Sequence, residues 1–158
     1  MAEFLEYTGL AELPAYDEDF DTRIAPAAVQ SLRRAIGAAD ALIIATPEYN
    51  SSVPGVLKNA LDWASRPWPE NSLRGKRVCV VGASTGLFGA VWAQAELRKI
   101  LTTIGAEVIE EELAVGQAHE AFDDDGRLGD PELRAKLSES VAALVAHSTA
   151  PSVESLAC

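Results

Sequence analysis

Two short segments of this sequence carry the residue types that recognise ligands through backbone rather than through reactive side chains. The first, Thr46-Pro47-Glu48-Tyr49-Asn50-Ser51-Ser52-Val53-Pro54, follows the apolar run Ala41-Leu42-Ile43-Ile44-Ala45. The second, Gly82-Ala83-Ser84-Thr85-Gly86-Leu87-Phe88-Gly89, follows Arg77-Val78-Cys79-Val80-Val81. Each is a turn leaving the carboxyl end of a buried strand, which is where open α/β sheets bind ligands. A non-helical turn keeps amides and carbonyls free for a ligand's polar edge, and Gly82 and Gly86 permit close approach of backbone. No residue has the context of a general acid, a nucleophile or a metal ligand. His119 and His147 fall in a distal loop and the last helix, away from both turns. Asp123, Asp125, Gly126 and Glu132 stand at the third, fifth, sixth and twelfth places of an EF-hand loop. Ala121 occupies its first place and Pro131 stiffens the approach to the exit helix, so these acids read as solvated loop charge.

The elements that must position the two turns alternate strand and helix, the signature of a parallel sheet. A short strand is expected at Phe4 to Tyr7, then a loop from Thr8 to Ile24, rich in acids and turn residues. Pro26 opens a helix through Ile36, with Gly37 past its end. Ala41 to Ala45 reads as a central strand covered on both faces. Pro54 opens a helix reaching Trp63, with Leu57, Leu61 and Ala64 buried; Lys58 and Asn59 are structural, and Arg66 and Trp68 line a pocket rim or a subunit contact. Arg77 to Val81 is a second buried strand, followed by a helix from Gly89 to Thr103 and a short strand at Glu107 to Ile109. Pro131 to His147 closes the domain with the stripe Leu133, Leu137, Val141, Leu144 and Val145, and residues 148–158 read as a frayed tail.

Composition limits the partners. The 24 Asp and Glu against 13 Lys and Arg give a net charge of −11, which repels nucleic acid and anionic membrane. The first residues form no signal peptide, and no apolar run is long enough to span a bilayer. Cys79 lies in an apolar run and Cys158 is the last residue, so a reducing, cytoplasmic setting is expected.

The stretch from Ala45 to Pro67 resembles, nearly end to end, the flavin-contacting segment of the NADPH-dependent FMN reductases, a family of flavodoxin-like quinone, chromate and azo-dye reductases. The resemblance implies an α/β three-layer sandwich with a parallel sheet in the order 2-1-3-4-5. It implies FMN as cofactor, NAD(P)H as reductant and a small-molecule electron acceptor, with assembly as a homodimer or homotetramer. It implies that Pro47, Glu48, Tyr49 and Asn50 wrap the isoalloxazine edge, and that Ser84 backs the ring with Gly82 and Gly86 beside it. No catalytic side chain is needed, because the flavin carries the hydride chemistry and the protein orients it. Ala90 and Trp92 stand where many members have Gly and Arg.

The family's opening strand and its Gly-Ser-x-Arg-x-x-Ser-x-Asn phosphate loop have no counterpart here. The match starts at the family's second strand, near Phe4 to Tyr7, and runs to about Leu144, so residues 1–147 are expected to be one such domain starting at an internal Met. Losing an interior strand would strand backbone groups at about 1–3 kcal/mol each. The expected function is an FMN-dependent NAD(P)H oxidoreductase. The rival readings are a flavin-deficient, flavodoxin-like oligomerisation module pairing through the helix Pro54 to Trp63, and a one-electron flavodoxin-type carrier.

Overall fold

The computed structural model describes residues 2–21 and 24–146; the expectations for His147, the tail and Cys158 lie outside them. A parallel sheet forms the middle layer. Strand β1 (Ala41–Thr46) pairs with β2 (Arg77–Ala83) in the register Ala41↔Arg77 to Thr46↔Gly82. On its other side β2 pairs with β3 (Glu107–Val108) and then with β4 (Leu113–Val115). From Val78↔Val108 to Val81↔Leu113 the two sides advance three and five residues, so β3 and β4 are one strand interrupted by a two-residue bulge. The guanidinium of Arg98 fills that bulge. It donates to the carbonyls of Ile109 and Glu111, and to Val80 at 3.3 Å.

Helices α1 (Ala27–Ala38), α2 (Gly55–Ala64) and α3 (Val91–Ile104) cover one face. Alternation along β2 explains the layering: Val78 and Val80 join Leu57, Trp63, Leu97 and Leu101 in the main core. Cys79 points the other way, against Leu144 of α5 (Pro131–Ala146). A third cluster joins Leu113, Val115 and Leu128, with Leu133 and Leu137 of α5 packed on it. A short helix α4 (Ala118–Ala121) follows β4. Three layers with a parallel sheet are the expected flavodoxin-like architecture.

Two expectations fail. Residues 4–7 form no strand; Phe4 and Leu5 are exposed, and the segment is held by Tyr7 and Leu10 against the helical core rather than beside a sheet edge. An extended segment without a ladder partner is not a strand. Strand β1 is not covered on both faces either. Leu42 and Ile44 face the main core, but Ile43 is 37% exposed, because α5 lies over β2 and reaches only Ala41 of β1. Among the described residues its only ladder partner is β2.

The loop from Thr8 to Ile24 is ordered by α2. Asn59 accepts from the Tyr16 amide at 2.8 Å and donates to the Pro14 carbonyl at 2.9 Å, and Trp63 Nε1 donates to the same carbonyl at 2.8 Å. Lys58 pairs with Asp62, so both residues after Leu57 are structural, as their sequence context suggests. The acids of 123–125 form a hairpin turn: the Asp123 carboxylate accepts from the amides of Asp125 and Arg127 at 3.0 and 2.7 Å.

Candidate binding site at the carboxyl ends of β1 and β2

The parallel register sets Thr46 beside Gly82, so the two turns singled out in the sequence leave the sheet side by side. In the first, Tyr49 and Ser52 exchange both backbone hydrogen bonds at 3.1 Å. Asn50 and Ser51 between them have φ of 55° and 58°, the geometry of a type I′ turn. Asn tolerates that left-handed backbone because its short side chain bonds locally. The turn therefore projects outward as a small hairpin with Tyr49 62% exposed. Thr46, 2% exposed, donates from its hydroxyl to the Pro47 carbonyl at 2.8 Å and fixes the exit from β1.

Glu48 does something the sequence does not reveal. Its Oε2 accepts from the amides of Trp92 and Ala93, both at 3.0 Å. These are orphan donors of the first turn of α3, whose own N-cap, Ala90, offers no side-chain bond. A carboxylate there also meets the positive end of the helix dipole. Ser52 adds a second tie, donating to Glu96 on α3 at 2.6 Å.

The second turn is tied to the chain after β4. Ser84 donates its amide to Val115 at 3.0 Å and accepts from Ala118 at 2.9 Å; Gly86 accepts from the Gln117 amide at 2.9 Å. The glycines here divide by role. A Cβ on Gly82 would stand 2.7 Å from Nε2 of Gln94, so this glycine makes room for a buried side chain of α3. Gly86 faces open space apart from Ser84 Oγ at 3.6 Å. The tight approaches belong to Gly89 and Gly116: a Cβ on Gly89 would meet the Ala114 and Val115 backbone at 2.6 Å, and one on Gly116 would lie 2.2 Å from the Leu87 carbonyl. Gly116, Gln94 and Arg98 are thus site-shaping residues absent from the sequence reading, and Gly89, there only the end of the turn, joins them. A glycine repeated at the far side of the turn, as at 89, was the available signal; Arg98 had none.

Neither turn contains Lys or Arg across residues 46–53 or 84–91. Tyr49, Leu87, Phe88 and Trp92 present exposed apolar surface, with Phe88 and Trp92 edge to face at 5.2 Å. The amides of Asn50, Ser51, Thr85 and Gly86 donate to no acceptor among the described residues. Two surface hollows lie elsewhere. One, of about 270 Å³, is lined by Lys58, Arg66, Trp68 and Lys99 at the far end of α2 and α3, and another, of about 350 Å³, by Pro14, Phe20 and Trp63. His119 is exposed beside Glu120. No cluster of three metal-ligating side chains and no helix long and apolar enough to cross a membrane occurs among the described residues.

The sequence model of the NADPH-dependent FMN reductases matches residues 2–120 of this chain. The chain belongs to that family. It is 43% identical over 141 residues to an NAD(P)H-dependent FMN reductase of Pseudomonas aeruginosa, covering 89% of this chain and 76% of that protein. It is 37% identical over 127 residues to a quinone reductase of Pseudomonas putida, covering 80% and 68%. Among solved structures it superposes on a flavoenzyme NAD(P)H:(acceptor) oxidoreductase from Paracoccus denitrificans with a TM-score of 0.77 and 39% identity, covering 88% of this chain and 76% of that one.

The residues of this FMN reductase family member fit the aromatic part of the cofactor. A flavin ring is a flat apolar plate with a polar edge, and the site offers exposed aromatic surface beside four free amides. A doubly charged phosphate has no such match in the two turns, which hold no cation.

Proposed function

We propose that this chain is an FMN-dependent NAD(P)H oxidoreductase that passes electrons to free flavin, a quinone or a similar small acceptor. The observation that supports this most is the juxtaposition of the Pro47–Asn50 and Gly82–Gly86 turns at the ends of neighbouring parallel strands in a chain of this family. Pro47, Tyr49 and Asn50 would line one edge of the ring, and Ser84 and Gly86 the other, through backbone groups. Glu48 and Gly82 serve the same site from behind, by holding α3. When bound, the flavin supplies reversible hydride acceptance from the nicotinamide.

The protein's share is orientation and charge. The hairpin at 49–52 and the tie of Ser84 to Val115 fix the amides before any ligand arrives, so little ordering cost remains at binding. The N-terminus of α2, just after Pro54, lies at the same end of the sheet and favours negative charge near it. The exposed Tyr49, Phe88 and Trp92 give a planar acceptor or nicotinamide an apolar surface, and the same patch suits the subunit contact of a homodimer or homotetramer. A cytoplasmic location and small-molecule partners complete the reading. The module and carrier alternatives find no supporting observation beside the family membership.

The test is a titration of the purified chain with riboflavin and FMN by fluorescence quenching, followed by NADPH oxidation with a benzoquinone acceptor and added flavin. Saturable flavin binding and quinone-dependent turnover are expected. No saturable binding of either flavin would overturn the reading.

A further inference from the structure

The first two turns of α3 touch both ligand-side turns. From the first comes the Glu48 carboxylate, which accepts from the amides of Trp92 and Ala93, and Ser52, which donates to Glu96. Toward the second reaches Gln94, wholly buried, which donates from Nε2 to the Gly89 carbonyl at 3.1 Å and fills the space left by the missing side chain of Gly82. Glu48 and Trp92, joined at this contact, are 44 residues apart in sequence. Beyond the strand ladder that sets Thr46 beside Gly82, no hydrogen bond joins residues 47–53 to residues 83–89 among the described residues, and α3 is their common partner. The backbone around the junction is unusual, with Gly89 and Ala90 both left-handed at φ of 60° and 62°. A left-handed non-glycine residue persists only where surrounding contacts over-determine it.

We infer that Glu48 and Gln94 are positioning residues that act as a pair through the first turn of α3, setting the two flavin-side turns at a fixed separation. The Glu48 side chain is not offered to the cofactor. Its carboxylate is spent on the helix: two charge-assisted hydrogen bonds replace the bonds that Ala90 cannot make. Gln94 converts the resulting fixed position of α3 into a fixed position of the Gly89 end of the second turn. That turn is in turn anchored to β4 through Ser84, Gly86, Val115 and Gln117. Losing Glu48 therefore releases α3 from the first turn and loosens the second as well. A residue that merely capped a helix would have only the local effect.

This inference deepens the proposed function, and its test separates the two. Amide hydrogen exchange is measured on the flavin-free chain as wild type, Glu48→Ala, Glu48→Gln and Gln94→Met. Gln keeps a carbonyl acceptor at the same reach, and Met keeps the buried volume while removing the Nε2 donor. Glu48→Ala is expected to speed exchange about tenfold at Trp92 and Ala93 and also at Ser84, Gln117 and Ala118, whose amides tie the second turn. Glu48→Gln should restore most of that protection. Gln94→Met should loosen Ser84, Gln117 and Ala118 while leaving Trp92 and Ala93 protected. In the second arm, riboflavin affinity should fall about tenfold in Glu48→Ala and in Gln94→Met, and recover in Glu48→Gln, with Lys58→Ala unchanged. Acceleration confined to Trp92 and Ala93 in Glu48→Ala would overturn the inference, leaving a local cap. If wild type binds no flavin, the functional reading fails while the exchange data still decide the coupling.

Discussion

Replacing Gly89 by Ala tests how the second turn is held. Gly89 has φ of 60°, and an added Cβ would stand 2.6 Å from both the Ala114 carbonyl carbon and the Val115 amide nitrogen. Two costs add. The left-handed backbone costs an L-residue about 1–2 kcal/mol. The clash is with backbone of β4 rather than with a flexible side-chain end, so the turn or the strand must move, at about 1–3 kcal/mol typical of overpacking. The sum is about 2–5 kcal/mol, a large part of the about 5–15 kcal/mol available to a domain of this size. At about 2–4 °C per kcal/mol for a chain of this length, the melting temperature should fall by about 4–20 °C. Calorimetry or circular dichroism reads this directly. Gly86→Ala is the matched control, because its Cβ would meet only Ser84 Oγ at 3.6 Å and should shift stability by no more than about 0.5 kcal/mol. A Gly89→Ala protein melting within about 2 °C of wild type would refute the interlock between the second turn and β4.

Three further outcomes are expected. Tyr49→Ala combined with Asn50→Ala should weaken riboflavin binding by about a hundredfold, equivalent to about 2–3 kcal/mol of lost contact, with the far-ultraviolet spectrum unchanged; unaltered affinity would remove the first turn from the site. Burial pushes the Cys79 thiol above its ordinary value, against the opposing pull of Arg98. The folded thiol keeps its proton through pH 8, so iodoacetamide should label Cys79 only on unfolding, and stability should be full below pH 9.0, the ordinary value, and decline as pH rises through it; ready alkylation in the native protein would contradict this. With no Lys or Arg in either turn and a net charge of −11, the 158-residue chain should bind riboflavin no more weakly than FMN; a clear preference for FMN in parallel titrations would place a phosphate site elsewhere in the chain or on a partner subunit.

Sheet and helices were legible where periodicity and punctuation agree. The apolar run 41–45, the Pro54 start of α2 and the run 77–81 fall within a residue or two of the observed elements, because each is decided by local pattern and buried on at least one face. What failed was decided by distant partners. Phe4 to Tyr7 has strand composition but, with Tyr7 packed on the helical core, does not pair with the free edge of β1, and β1 reads as central although α5 leaves Ile43 uncovered. The three residues of β4 carry too short a run to distinguish from a loop, and their place depends on Arg98 holding the bulge before them.

Both turns were singled out as following buried strands, and the register sets them side by side. The packing of their side chains was not legible. Glu48 belongs to the turn by sequence, yet its carboxylate bonds to α3, and the space that Gly82 leaves beside it holds Gln94. Spacing along a chain reports which residues share an element; it does not report which element another one needs as a cap.

The most direct test of where the ring sits is a ¹⁵N–¹H correlation spectrum of the chain titrated with riboflavin. Amide shifts should concentrate at Tyr49, Asn50 and Ser51 and at Ser84, Thr85 and Gly86, with smaller changes at Trp92 and Ala93. Shifts concentrated instead around Arg66, Trp68 and Lys99, or no saturable shift at either turn, would contradict a flavin held at the ends of β1 and β2.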